Sequence, residues 1–420
     1  MEPIFFGVPV LVWVAGALAL FMAWTIGAND VANAMGTSVG SGALTIRRAI
    51  IVAAVLEFSG AFFVGGHVTD TVRKGILSSD AVALHMDVLP FGMLGALAAA
   101  ATLLFGATRF GLPVSTTHSI VGAIIGFGAV AMGVDAIEWG KVGQIALSWL
   151  TSPLIGGALA FSIFNLTRWL ILDRSDPMAQ IKRYGPVFYF VVTGVIGLVT
   201  LFKGLKNLKL DFDLPEALLL SAGLGLLGAL IGGLLLARVR PGPPVAGDRF
   251  HDVERSFVLL QILTACAVAF AHGSNDVANA IGPLAAIIHS FGEVDYAQKA
   301  AVAPWMLLVG GAGIVLGLAT WGYRVMETVG RKITELTPSR GFAAELAAAL
   351  TIVLASRMGI PVSTTHILVG SVLGVGLARG IGALDLRVAG AILLSWLATL
   401  PIAAVLSILF FYLFRSLLAP

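Results

Sequence analysis

Two stretches of this 420-residue chain set a carboxylate among amides at helical spacing: Ile26–Gly36 reads IGANDVANAMG, and His272–Gly282 reads HGSNDVANAIG. In each, the acid and the second amide stand three residues apart, Asp30 with Asn33 and Asp276 with Asn279, which puts them on one helical face. Carboxylate, amide oxygen and bare carbonyl are the donors a hard cation such as Na+ accepts, by the logic of other oxygen-seeking ions. Asn29 and Asn275, beside each acid, join that candidate set. The flanking glycines (Gly27, Gly36, Gly40, Gly42; Gly273, Gly282) predict a weakened helix whose carbonyls are freed as ligands. Asn and Asp also cap and glue helices. An acid inside a membrane segment is costly, however, and two matching copies favour a functional role.

A second phrase is also written twice. TRFGLPVSTTHSIVG at Thr108–Gly122 returns as SRMGIPVSTTHILVG at Ser356–Gly370. Proline disfavours helix just upstream, and Ser115, Thr116 and Thr117 then offer an N-cap hydroxyl and several free N–H groups ahead of an apolar helix. Ser363, Thr364 and Thr365 do the same in the second copy. A helix start buried in an apolar medium is an anion site, because its unpaired donors and positive dipole end need a negative partner. Two converging starts would surround a tetrahedral oxyanion without a buried arginine; the plainer alternative is two capped helices. Arg109 and Arg357, four residues before each proline, read as snorkelling at a helix end, and His118 and His366 as packing residues rather than proton carriers. Glu57, mid-span in IVAAVLEFSGAFFVG, would be expensive unpaired and is a candidate for a cation or a proton. Glu345 in GFAAELAAAL carries less weight, since a helix's first turn favours an acid. Neither acid has an acidic counterpart in the other half of the chain.

Membrane helices must hold these residues. The chain is 58% hydrophobic and 12% charged, with mean hydropathy +0.96, well outside soluble usage. Runs near the length of a helical span lie at 8–25, 48–67, 90–108, 142–167, 186–202, 215–237, 256–274, 300–321 and 386–414. Counting interrupted ones, about 10–12 transmembrane or re-entrant segments are expected, with 30–45 and 113–130 either crossing or dipping in and returning. The first run follows Glu2 rather than a basic stretch, so it reads as a retained helix and not a cleaved signal. The lone Cys266 excludes an intramolecular disulfide, and a net charge of +3 is too small to suggest nucleic acid. Arg168, Arg174, Lys182 and Arg183 form one basic cluster and Arg238, Arg240, Arg249 and Arg255 another. Two spans separate them, so both face one side, the cytoplasm.

The paired phrases keep their order, Asp276 standing 246 residues after Asp30 and Pro361 standing 248 after Pro113. The chain therefore reads as two homologous halves, 1–165 and 256–420, around a distinct middle, 166–255, that contains the Pro/Gly-rich VRPGPPVAGDRF. Internal repeats with interrupted helices mark secondary transporters, whose sites lie near the midplane between the halves. Each copy of the second phrase ends in a GxxxG step (Gly122 and Gly126; Gly370 and Gly374), which allows tight association of two copies as a homodimer. GLGLLG at 223–228 fits a dinucleotide loop, but it lies inside a span with no strand before it and reads as helix-packing glycine. The sequence has no Cys or His cluster at metal-ligand spacing and no nucleophile elbow.

With both pairs in place, the sequence resembles the inorganic phosphate transporter family, often called PiT, through GANDVANA, GSNDVANA and the twin PVSTTH motifs, over nearly the whole chain. The resemblance implies an all-α integral membrane fold with inverted repeats, phosphate uptake with Na+ or H+, no organic cofactor, and residence in the cell membrane in contact with lipid. It implies that Asp30, Asn33, Asp276 and Asn279 are ion- and phosphate-site residues, that Ser115, Thr116, Thr117, Ser363, Thr364 and Thr365 form the anion cradle, and that Glu57 and Glu345 are acids required for transport. A divalent phosphate is costly in low dielectric, and two Na+ would neutralise it, so symport is expected, with the halves rocking or gating around the site. A proton-coupled phosphate permease, or a permease for sulfate or another oxyanion, keeps the site and changes the ion. Phosphate carries a proton that Asp30 or Asp276 can accept, which favours it over sulfate. An intramembrane enzyme using the two aspartates lacks a positioned nucleophile, and a channel would give flux without accumulation.

Overall fold

In lipid, backbone N–H and C=O groups can be satisfied only within the chain, which selects helix for a sequence with so few charges. The structure, a computed structural model, describes residues 4–5, 8–66, 76–201, 212–239, 249–291, 302–357 and 362–419. After a two-residue strand pair, β1 (Ile4–Phe5) and β2 (Val8–Pro9), come α1 (Val10–Gly40), α2 (Ile46–Val64), α3 (Ser79–Leu84), α4 (Leu89–Arg109), α5 (Thr116–Ala131), α6 (Trp139–Thr167), α7 (Pro177–Val199) and α8 (Leu214–Arg238). The second part holds α9 (His251–Ser290), α10 (Pro304–Thr320), α11 (Tyr323–Glu327), α12 (Pro338–Arg357), α13 (Thr364–Arg379) and α14 (Leu386–Leu418). Among the described residues, seven helices are long and apolar enough to cross a membrane, or eight if the bent pair Pro304–Thr320 and Tyr323–Lys332 is one span. Helices α2 and α7 reach spanning length too, at 19 and 23 residues. At 16 residues each, α5 and α13 are about 24 Å long, short of a full crossing. The chain is thus an all-helical, multi-pass membrane protein.

Packing follows the duplication. Helix α1 lies on α10 as α9 lies on α2, and α4 and α5 lie on α14 as α12 and α13 lie on α6. The last long helix of each half is therefore packed against the motif helices of the other. Helices α1 and α9 meet and run antiparallel: Asp30 sits beside His272, whereas Ser41, further along α1, bonds Gln261, further back along α9, at 2.7 Å. Helices α7 and α8 pair with each other, and α8 turns Leu219, Leu226 and Leu230 outward. Gly225 and Gly228 of GLGLLG abut Phe190 and Thr193 of α7, so that stretch is a packing surface. Arg249 donates to the Arg174 carbonyl at 2.7 Å, which brings the two basic clusters together as the charge pattern predicts. The 240–248 linker, the 202–211 loop and the Arg357 side chain lie outside the described residues.

Two expectations need correction. First, α1 and α9 run unbroken through both NDVAN phrases, for 31 and 40 residues, so the glycines there free no carbonyls. They permit close approach instead. A Cβ on Gly27 would overlap the carbonyl of Ile314 in α10, and one on Gly273 the carbonyl of Glu57 in α2. The interruptions occur at the second phrase, before α5 and before α13. Second, both GxxxG steps are used inside the chain: Gly122 and Gly126 meet the backbone of Leu400 and Ala404, and Gly370 and Gly374 meet Pro153 and Gly157. They are not available to hold a homodimer.

The Gly273 contact gives a direct test of this packing. Gly273→Ala must push α9 from α2 where Glu57 faces His272. Overpacking of this kind costs about 1–3 kcal/mol, so the variant should melt several degrees lower in detergent; an unchanged melting temperature would show that the two backbones are not in contact.

Candidate functional site

The start of α5 is fixed from α1. Asn29 donates to Thr108 Oγ1 (2.9 Å) and to the Leu112 carbonyl (3.1 Å), and accepts from the Val114 N–H (3.2 Å). Both amide N–H groups and one lone pair of Oδ1 thus pin the extended segment that precedes the helix, which makes Asn29 a positioning residue for the start of α5. Ser115 then caps α5 by accepting from the His118 N–H, and Ser363 caps α13 by accepting from that of His366. Both hydroxyls cap helix starts within the protein interior, as the duplicated phrase predicts. Thr117 is buried in the same first turn.

Around these starts the two halves share one pocket. Thr116 donates to Asp30 Oδ2, and Thr364 donates to Asp276 Oδ2 at 3.0 Å. Thr365, from the second half, reaches Asp30 Oδ1 at 3.3 Å and accepts from Asn33 Nδ2 at 2.8 Å in the first. Asn275 donates to Asp276 at 2.8 Å. Buried Asn33 Oδ1 and Asn279 Nδ2 have no protein partner, so both amides have capacity left for a ligand. His272 lies among three acids: Nε2 is 2.8 Å from Asp276 and 3.9 Å from Asp30, and Nδ1 is 3.4 Å from Glu57. One ligand atom each from Asp30, His272 and Asp276 falls within 4.8 Å of the others. Neither oxygen of Glu57 has an aligned hydrogen-bond partner. No Lys or Arg is buried among the described residues. An uncompensated carboxylate inside a protein costs several kcal/mol, so the three acids around His272 require balancing positive charge or protons.

Glu345 is elsewhere. It accepts from Thr37, from Ser38 (2.8 Å) and from Thr264 (2.6 Å), with Gln261 Nε2 at 3.4 Å. Thr37 stands two turns beyond Asp30 on α1, about 10 Å along the axis, so this is a second polar cluster between α1, α9 and α12. Nor is Glu345 a first-turn acid. Helix α12 starts at Pro338, and the carboxylate at its start is Glu254 of α9, which accepts from Thr337, Ser339 Oγ and the Ser339 N–H at 2.8 Å each.

Neither His272 nor the hydroxyls around Glu345 are marked by the repeated phrases. His272 stands one turn before Asp276 inside the quoted phrase, and its counterpart in the first copy is Ile26, so attention to the duplication hides it. Gln261 and Thr264, three apart in an apolar run, were the available signal for the second cluster.

A multi-pass helical protein whose halves close one buried pocket of carboxylates, amides and helix starts has the architecture of a membrane transporter. The chain belongs to the phosphate transporter family: the profile of the "Phosphate transporter family" matches residues 26–407. Relatives named "Putative phosphate permease" include one from Haemophilus influenzae, 45% identical over 97% of each chain, and one from Thermococcus kodakarensis, 46% identical over 93% of this chain and 94% of the relative. A solved structure titled "The sodium-dependent phosphate transporter" superposes with a TM-score of 0.87 at 40% identity, covering 97% of this chain and all of that one. The family supports phosphate transport, not catalysis.

Proposed function

We propose that this protein imports inorganic phosphate by symport with Na+, alternating access around the Asp30–Asp276 pocket. The observation that carries the reading is the shared pocket itself. Threonines from both helix starts bond aspartates from both halves, and among the described residues no Lys or Arg is buried to bind the anion. Phosphate would lie against the starts of α5 and α13, where hydroxyls, free N–H groups and dipole ends favour it. Na+ would be held by Asp30, Asp276, Asn33, Asn279 and Glu57, with a further cation at Glu345. Cation binding offsets the carboxylates and so raises phosphate affinity, which couples the two ligands. The antiparallel crossing of α1 and α9 supports repeats of inverted topology, 1–165 and 256–420, that rock about the pocket. The apolar outer faces would meet the lipid of the cell membrane.

The test is labelled phosphate uptake into proteoliposomes with Na+ or H+ gradients imposed separately and sulfate as competitor. Accumulation with Na+ and little competition by sulfate is expected. Inhibition of labelled uptake by sulfate as strong as that by unlabelled phosphate would defeat the phosphate assignment.

A second reading has one specific support. Both imidazole nitrogens of His272 lie within 4 Å of carboxylates, Nε2 of Asp276 and Asp30 and Nδ1 of Glu57, which makes the ring a candidate proton carrier. Proton coupling at His272 follows if the H+ gradient alone drives accumulation.

A further inference from the structure

We propose that His366 is a positioning residue for the phosphate cradle: it holds the start of α13 by donating to a carbonyl that Pro153 leaves without its helical partner. The inference rests on the phosphate reading above and concerns a residue outside the pocket. Proline has no N–H, so within α6 the carbonyl four residues before Pro153, that of Trp149, has no intrahelical donor. A buried carbonyl left so is costly. His366 Nδ1 lies 3.2 Å from it, and because a carbonyl only accepts, Nδ1 is the donor. The two helices are close enough for this because Gly370, one turn further along α13, packs on the backbone of Pro153 itself.

The bond matters because of what precedes His366. Thr364 donates to Asp276, and Thr365 bridges to Asp30 and Asn33. The first turn of α13 is thus anchored on one side by the hydroxyls that face the ligand and on the other by His366 on α6, a helix of the opposite half. Four buried rings continue the anchorage across both halves: Trp149 on His118 (3.6 Å between centroids), His118 on His366 (4.4 Å) and His366 on Trp396 (3.6 Å). Trp396 in turn donates to the Pro113 carbonyl at 3.2 Å, in the segment leading to α5. The same stack therefore backs both helix starts, and loss of the His366 bond would let α13 shift where sub-ångström placement of donors sets affinity.

The experiment compares His366→Phe, which keeps a stacking ring and lacks the donor, with His366→Asn, whose amide N–H falls near Nδ1. Each is made with and without Pro153→Ala, which restores a helical donor to the Trp149 carbonyl. Saturation curves of phosphate uptake in proteoliposomes separate half-saturation from maximal rate. H366F should raise the half-saturating phosphate concentration about tenfold or more, as expected when the donors at the start of α13 are displaced from the ligand, with the maximal rate far less affected. H366N should stay near wild type. Pro153→Ala, whose N–H competes with His366 for the Trp149 carbonyl, should itself raise half-saturation, and H366F should then add less than about twofold, because the bond it removes is already weakened. Half-saturation unchanged in H366F, or raised by the same factor in both backgrounds, would overturn the inference alone. A wild-type protein that takes up no phosphate would overturn the functional reading and this inference with it. If H366F does not insert, His366→Gln, which reaches the Nε2 position and misses the carbonyl, replaces it with the same expected outcomes.

Discussion

Phosphate accumulation driven by a Na+ gradient is expected to fall at least about a hundredfold in Asp276→Asn, and nearly as far in Asp30→Asn, since breaking a buried charge pair typically costs about 3–5 kcal/mol. Asparagine keeps the shape of either side chain and can still meet the threonine hydroxyl. What it removes is the charge. Asp276 is the acid nearest His272, at 2.8 Å against 3.9 Å for Asp30, so losing it strands the imidazole most directly and takes away one of the two carboxylates proposed to bring a cation beside the anion. Asp30 is bonded by hydroxyls from both halves, Thr116 and Thr365, so its substitution weakens the contact that ties the halves at the pocket. The measurement is initial uptake in proteoliposomes with matched protein incorporation, with the exposed Asp135→Asn as a control expected to behave as wild type. Normal accumulation in either pocket variant would remove the aspartates from the cation site.

The composition made the helical membrane class plain, and the duplication made the pocket plain, because two matched copies of a costly acid and of a serine–threonine helix start rarely serve only to pack. Helix continuity was not legible. Glycine lowers helix propensity by about 1 kcal/mol, which points to a break at NDVAN, but Gly27 and Gly273 are needed for contact with the backbones of Ile314 and Glu57, and tertiary packing outweighs the local penalty. Asn29 stands beside the acid in its phrase, and its role as the anchor of residues 112–114 is set by a chain segment more than eighty residues away. His272 broke the repeat pattern, and its partner Glu57 lies on a different helix. No spacing along the sequence joins them. The same holds for Glu345, whose hydroxyl partners come from α1 and α9.

That separate cluster leads to the other large effect. Glu345→Gln should reduce Na+-driven accumulation by more than about tenfold, yet leave phosphate exchange at equal Na+ on both sides largely intact, because the group is about 10 Å along α1 from the Asp30 pocket. Its surroundings are three hydroxyls, whose oxygens together with the carboxylate would suit a hard monovalent cation, and the Nε2 of Gln261. Three hydroxyls would also satisfy a protonated acid, and the two roles separate by measurement. If a cation binds here, the substitution lowers the steepness of uptake against Na+ concentration, since one coupling ion is lost while the phosphate pocket keeps its own charges. If the cluster is only structural, glutamine can accept from the same hydroxyls, and the slope stays as in wild type. Because α1 carries both Thr37 and Asp30 as one unbroken helix, a cation that drew Thr37 and Ser38 toward Glu345 would also set the position of Asp30 relative to α13. This gives the distant site a physical route to the phosphate pocket, and Thr37→Val, which keeps shape but loses one ligand, should reproduce the reduced slope in weaker form.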